Sequence, residues 1–276
     1  MLKLMYITNR TDVARIAEMA GVDRIFVDLE YIGKEKRQLG LDTVKSRHSL
    51  EDVRNIKKVL TTAELLVRCN PIHEKTEEYT SSKDEIDQIV ANGADLIMLP
   101  YFKTLKEVRT FIDLVRFRTK TMLLIETPEA VDILDELLSV EGIDEVFVGL
   151  NDLSLGYKKK FMFELLTDGT VETICVKAKS KQVPYGFGGI ASLGKGMIPA
   201  EMIIKEHYRM GSGSVILSRS FCDVGKVVDI VEIESLFFNG INEIRALERE
   251  CSERMKYFEN NTVELKERIR QVVNEK

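Results

Sequence analysis

The chain has 276 residues, 44% of them hydrophobic and 31% charged, with five prolines and a net charge of −5. That composition excludes a disordered chain, and the length suits one α/β barrel without forcing a second domain. The acidic balance, with no basic helix interleaved by aromatics, argues against a nucleic-acid partner, and no apolar run approaches the roughly 18 residues of a membrane span.

Taken in chain order, short apolar runs alternate with helical segments. Leu2–Ile7 reads as the first strand, and Met1–Ile7 is too short for a signal peptide. Asp12 and Glu18 read as surface acids of the first helix. Gly21-Val22-Asp23 then precedes a strand at Ile25–Leu29, and the same Gly-containing turn precedes Leu96–Leu99, Val146–Val148 and Val215–Leu217. A glycine just past a helix is a usual stop because it tolerates the left-handed conformation. Glu64–Cys69, Met122–Ile125 and Val183–Phe187 complete eight strands. Ser49-x-x-Asp52, Ser82-x-x-Glu85 and Thr104-x-x-Glu107 match the capping box at helix starts. Thr127-Pro128 adds an N-cap followed by proline at the first helical position.

Eight strands alternating with helices predict a (β/α)8 TIM barrel over residues 1–225, with a doubly wound open sheet as the competing topology. Beyond it, residues 226–276 are expected to form a C-terminal helical extension. Ile241, Ile244, Cys251, Met255 and Phe258 recur at three- and four-residue steps from Phe237. A break is expected near Asn260-Asn261-Thr262, before a second helix carrying Leu265, Ile269 and Val272. This stripe either packs on its own barrel or reaches a neighbouring subunit in a homo-oligomer.

A barrel places its chemistry at the C-terminal ends of its strands. Those positions hold Thr8, Asn9 and Arg10; Asp28 and Glu30; Arg68 and Asn70; Pro100 and Tyr101; Glu126; Asn151 and Asp152; and Ser218 and Arg219. Glu126 and Asp152 lie one βα unit apart, and two such oxygen donors suit Mg²⁺ or Mn²⁺; ordinary loop acids are the plain alternative. Arg68 should face away from Val67 and Cys69 and can grip a planar carboxylate bidentately, or else pair with Asp28 or Glu30. Gly186-Phe187-Gly188-Gly189 can turn backbone N–H groups toward an anion, though a tight turn explains it equally. His73 follows the third strand and can reach the mouth. His48 reads as part of a solvated basic loop with Lys34, Lys36, Arg37, Lys45 and Arg47, and His207 as structural. Serine-hydrolase and zinc-protease motifs are missing. Cys69, Cys175, Cys222 and Cys251 lack CxxC spacing, which points to reduced thiols and a cytoplasmic location.

These motifs together carry a resemblance. Ile25-Phe26-Val27-Asp28-Leu29-Glu30 with Lys34 and Arg37, Val67-Arg68-Cys69-Asn70, Met98-Leu99-Pro100, Ile125-Glu126-Thr127 and Gly149-Leu150-Asn151-Asp152-Leu153-Ser154 resemble the HpcH/HpaI aldolase and citrate lyase beta-chain family, from about Leu2 to Phe221. The resemblance implies a metal-dependent barrel lyase acting beside a 2-oxo acid or acyl group. Glu126 and Asp152 would bind the metal and Arg68 the substrate carboxylate. Asn70, Asn151, Gly188 and Gly189 are further candidate substrate contacts, and Asp28, Glu30 and His73 join Arg68 as catalytic candidates. It also implies an oligomer that exchanges its C-terminal helix. The aldolase branch often carries a histidine base directly after the acid on strand two, where this chain has Glu30-Tyr31, so the base is left among Glu30, Tyr31, His73 and a metal-bound water.

The resulting expectation is an aldolase forming or cleaving a β-hydroxy 2-oxo acid. The alternatives are an acyl-CoA lyase of malyl, citramalyl or citryl type, phosphoenolpyruvate-linked C–P or C–O chemistry, and a non-catalytic ligand-binding barrel. The partner in every case is a small 2-oxo acid or acyl compound.

Overall fold

The computed structural model describes residues 1–34, 47–253 and 257–275. Eight parallel strands close into a barrel in chain order: β1 (Lys3–Ile7), β2 (Arg24–Asp28), β3 (Glu64–Arg68), β4 (Leu96–Leu99), β5 (Lys120–Ile125), β6 (Glu145–Val148), β7 (Tyr185–Ile190) and β8 (Ser214–Leu217). The closure excludes the open sheet. Every expected strand is present, and β7 lies further along the chain than expected, reaching through the glycine run to Ile190.

Helices follow the strands: α1 (Thr11–Ala20), α2 (Leu50–Val59), α3 (Ser82–Ala91), α4 (Leu105–Val115), the short pair α5 (Pro128–Asp132) and α6 (Leu134–Leu137), α7 (Leu150–Gly156), α8 (Thr170–Ser180) and α9 (Ala200–Met210). Their starts obey local chemistry. Ser49 with Asp52 and Thr104 with Glu107 form reciprocal capping boxes, and Thr127 caps α5 with Pro128 behind it. The third expected box does not form, and the cap lies one residue earlier. Ser81 is the cap of α3 and accepts from the Asp84 N–H. Ser82 and Glu85 instead face inward, where Ser82 Oγ accepts from the His73 N–H at 2.8 Å and Glu85 accepts from Asn70.

Alternation along the strands separates two apolar layers. Val67 and Cys69 face the helices, in the main core. Met5, Phe26, Leu66, Met98, Met122, Leu124 and Phe147 fill the barrel interior. This middle layer has charged residues at both ends. At the N-terminal end Arg24, fully buried, donates to Glu64 at 2.7 Å and holds both oxygens of Glu145. At the C-terminal end the inward positions are Asp28, Arg68 and Glu126.

Two further helices complete the chain, α10 (Ile230–Glu253) and α11 (Phe258–Glu275). The expected break at Asn260–Thr262 does not occur there: these residues lie in the first turns of α11. Asn261 is buried and donates to the Met202 carbonyl and to Glu206 on α9. A hydrogen-bonded asparagine inside a helix costs little, so its preference for turns is overridden. The apolar stripe is covered within the chain. Helix α10 packs on α1 and α11 on α9, burying Ile241, Ile244, Cys251, Leu265, Ile269 and Val272. Met255 lies outside the described residues.

Candidate active site

Strand β2 delivers Asp28 and strand β3 delivers Arg68 directly beside it, since the two are paired in register. Both oxygens of Asp28 accept from Arg68, from Nε at 2.9 Å and from Nη2 at 2.8 Å. Lys34 Nζ reaches the same carboxylate at 2.7 Å. Burial alone would raise the Asp28 pKa, but the two cations override it and hold the carboxyl far below its usual range. Glu30 approaches the same cations, at 3.4 Å from Arg68 and 3.6 Å from Lys34. The ion pair weighed from sequence therefore forms. Arg68 nevertheless lines the cavities at the mouth, and three of its five N–H donors lie outside the Asp28 fork.

Two more acids converge from the neighbouring side. Glu126 follows β5, and its Oε1 accepts from the Tyr101 N–H at 2.9 Å. Tyr101 holds a left-handed φ of 47° to make that contact. Such backbone strain concentrates at functional sites. Asp152 lies in the first turn of α7, just past β6, with Asn151 Nδ2 3.3 Å from its Oδ1. Gly149, between them, makes room for the Glu126 carboxylate. A Cβ there would fall 2.9 Å from Glu126 Oε2 and 2.8 Å from its Cβ.

Two adjoining cavities at this end share Arg68. The smaller, of 260 Å³, is lined by Arg68, Glu126, Asn151, Asp152, Gly188 and Gly189, over an apolar floor of Phe26, Met98, Leu124 and Phe147. Gly188 has a φ of 56°, and a Cβ there would strike Leu150 at 2.7 Å. The larger, of 640 Å³, adjoins it through Arg68, Asn151, Met162 and Ile216 and reaches Asn9, Lys34, His48, Ser218, Arg219 and Asp223.

Three expectations fall elsewhere. Asn70 is spent on structure: its Oδ1 accepts from the Tyr31 and Ile32 N–H groups, and its Nδ2 donates to Glu85. His73 is tied into the β3–α3 loop, with ring nitrogens 2.7 Å from the Pro71 carbonyl and 2.8 Å from that of Thr80. Arg10 pairs with Asp12 at 2.7 Å. His48, expected on a solvated loop, is buried: its Nδ1 accepts from the Asp28 N–H at 3.0 Å. The sequence offered no sign of this, because the contact joins a side chain to a backbone group 20 residues away. Lys36, Arg37 and Lys45 of that stretch lie outside the described residues. His207 is structural as expected, stacked on Phe187 with ring centroids 3.7 Å apart.

Comparison with known proteins agrees with this architecture. An HpcH/HpaI aldolase from Desulfitobacterium hafniense DCB-2 superposes with a TM-score of 0.60 at 17% identity, covering 79% of this chain and 86% of that one. An HpcH/HpaI aldolase/citrate lyase family protein from Burkholderia cenocepacia J2315 gives 0.60 at 13%, covering 84% and 94%. Citrate synthase SbnG gives 0.56 at 16%, covering 79% and 87%. At these identities the superpositions speak to fold alone. No curated protein sequence matches the chain. The family model for HpcH/HpaI aldolase/citrate lyase matches residues 3–186, and the chain belongs to that family.

Proposed function

We propose that this carbon–carbon lyase depends on Mg²⁺ or Mn²⁺ and forms or cleaves a β-hydroxy 2-oxo acid by way of a pyruvate-like enolate. The observation that carries the reading is the convergence of Glu126, Asp152 and Arg68 on one 260 Å³ cavity at the barrel mouth.

The residues present fit such a cation. Two carboxylates are hard oxygen donors of the kind these ions take, with room left for water and substrate. Gly149 leaves the space that the Glu126 carboxylate needs. Glu126 and Asp152 would hold the ion, which when bound supplies Lewis-acid stabilisation of the negative charge developing on the 2-oxo oxygen.

The chain's own residues do the rest. Arg68 binds the substrate carboxylate with the donors that Asp28 does not use. Asp28 is a positioning group: two cations hold it ionised, so it is a poor proton acceptor, but it fixes the guanidinium from behind. Asn151, Gly188 and Gly189 border the space where the 2-oxo acid would lie. The apolar floor keeps water from the reacting atoms, which strengthens each charge interaction above it. Of the groups considered for the base, Tyr31 donates its hydroxyl to the His48 carbonyl and His73 is held in its loop. Glu30 lies 3.4 Å from Arg68 and 3.6 Å from Lys34, but it is buried and borders neither cavity.

The test is cleavage of 4-hydroxy-2-oxo acids with release of pyruvate. Glu126→Gln and Asp152→Asn are each expected to lose about 10²-fold or more, since Lewis-acid stabilisation is worth several kcal/mol. Full turnover in both variants would contradict the reading. A second reading, an acyl-CoA lyase, draws on the 640 Å³ cavity beside the first, which has room for a larger partner. Titration with acetyl-CoA separates the two.

A further inference from the structure

We infer that His48 is a neutral hydrogen-bond donor, presenting its Nε2–H to a carbonyl or carboxylate oxygen of the reactant that fills the larger cavity, and that it is not the proton-accepting base. The donor's partner rests on the proposed function; the fixed tautomer does not.

Strand β1 ends at Ile7, which pairs with Phe26, so the ladder between β1 and β2 closes at Thr8 N–H on the Phe26 carbonyl. The next N–H of β2 on that edge, that of Asp28, has passed the end of its neighbour. A buried N–H must find an acceptor. It finds His48 Nδ1 at 3.0 Å.

That bond uses the Nδ1 lone pair, so the neutral ring carries its proton on Nε2. Protonating Nδ1 would set two N–H groups against each other and leave the Asp28 amide without an acceptor. The backbone of His48 is held as well, because the Tyr31 hydroxyl donates to the His48 carbonyl. Burial disfavours the charged imidazolium. The Asp28 and Asp52 carboxylates oppose that effect and the Lys34 ammonium reinforces it, and the net direction is downward from the ordinary histidine value.

The other ring nitrogen is open. Nε2 has no hydrogen-bond partner among the described residues and is not among their sealed, unsatisfied atoms. His48 borders the 640 Å³ cavity beside Lys34, Arg68, Ser218 and Arg219. A fixed, uncharged N–H in that position costs no reorganisation when negative charge grows on a reactant oxygen.

Two measurements on the full chain decide it. Long-range ¹H–¹⁵N correlation of the three histidine rings, assigned by single substitution, is expected to show His48 protonated at Nε2 and bare at Nδ1 at neutral pH, gaining its second proton only below the ordinary histidine value. A ring protonated at Nδ1, or one titrating near the ordinary value, would overturn the inference. Kinetics supply the second readout. In His48→Asn the amide oxygen replaces Nδ1, keeping the cap on Asp28, but nothing replaces Nε2; kcat/KM is expected to fall about 10²-fold with unchanged Tm. His48→Gln, whose amide nitrogen overlays Nε2, is expected to recover most of that loss. Both variants should keep the acidic limb of the pH–rate profile. Wild-type kinetics in His48→Asn would reduce His48 to a structural cap, and loss of the acidic limb would make it the base. If wild-type protein cleaves no substrate, the proposed function falls, while the tautomer measurement still decides this inference.

Discussion

A single side chain at the mouth sets the character of the site. Asp28 is held by Arg68 and Lys34, so its pKa is depressed on folding. A carboxylate of this kind stabilises the fold above its unfolded pKa, about 3.9, and loses that contribution as pH falls below it. Asp28→Asn removes one partner of a buried pair and leaves Arg68 and Lys34 under-compensated. It is expected to cost about 3–5 kcal/mol in urea unfolding and to raise KM for the 2-oxo acid as Arg68 loses its fixed orientation. Unaltered stability and KM would mean that Asp28 does not position the guanidinium. At this scale the sequence was informative where strand alternation applies: Arg68 faces in and Cys69 faces out, as period two requires. It was uninformative where a contact depends on the path of a loop. His48 and Lys34 reach Asp28 in that way, and no spacing in the sequence encodes it.

The elements place the acids. Glu126 needs β5 to end beside β6, and it needs the first residue after β6 to lack a side chain. Gly149→Ala is expected to push the Glu126 carboxylate aside. It should cost about 1–3 kcal/mol by overpacking and weaken Mg²⁺ binding more than it weakens the fold; unchanged affinity would show that the cradle is not needed. The helix starts were legible because capping is local chemistry, as at Ser49, Thr104 and Thr127. The slip from Ser82 to Ser81 arose because both serines fit the pattern, and only the tertiary demand of the His73 and Asn70 loop assigned one of them inward. The C-terminal helices depend on buried acids that no motif marks. Glu248 is almost fully buried and holds the Leu2 N–H, Tyr208 and Arg245. Glu248→Ala leaves those donors unmet and is expected to destabilise the protein by about 1–3 kcal/mol in denaturant.

The whole molecule is a parallel barrel with charge at both ends and an apolar middle layer. Its response to acid follows from groups whose pKa values folding depresses. Burial alone lowers His207 to about 3. Burial would raise Glu64, but Lys120 and Arg24 bring it down to about 2. For both, the unfolded chain binds the proton first, so stability is full above the unfolded pKa and declines as pH falls through the window below it. The window runs from 6.5 to about 3 for His207 and from 4.5 to about 2 for Glu64. Each contributes a slope of up to about 1.4 kcal/mol per pH unit. His207→Asn should flatten the decline between pH 6.5 and 4.5 in urea titrations; an unchanged slope there would remove His207 from the account. The closed barrel itself was the most legible feature, because eight buried strands at βα spacing leave few other ways to hide their apolar residues.

Glu126 and Asp152 are proposed to hold a divalent cation that a 2-oxo acid completes. Isothermal titration of Mg²⁺ and Mn²⁺ into metal-free protein, with and without oxalate as a mimic of the pyruvate enolate, tests it most directly. The expected result is metal binding that tightens in the presence of oxalate and disappears in Glu126→Gln and Asp152→Asn. No metal binding under either condition, or equal binding in both variants, would contradict it.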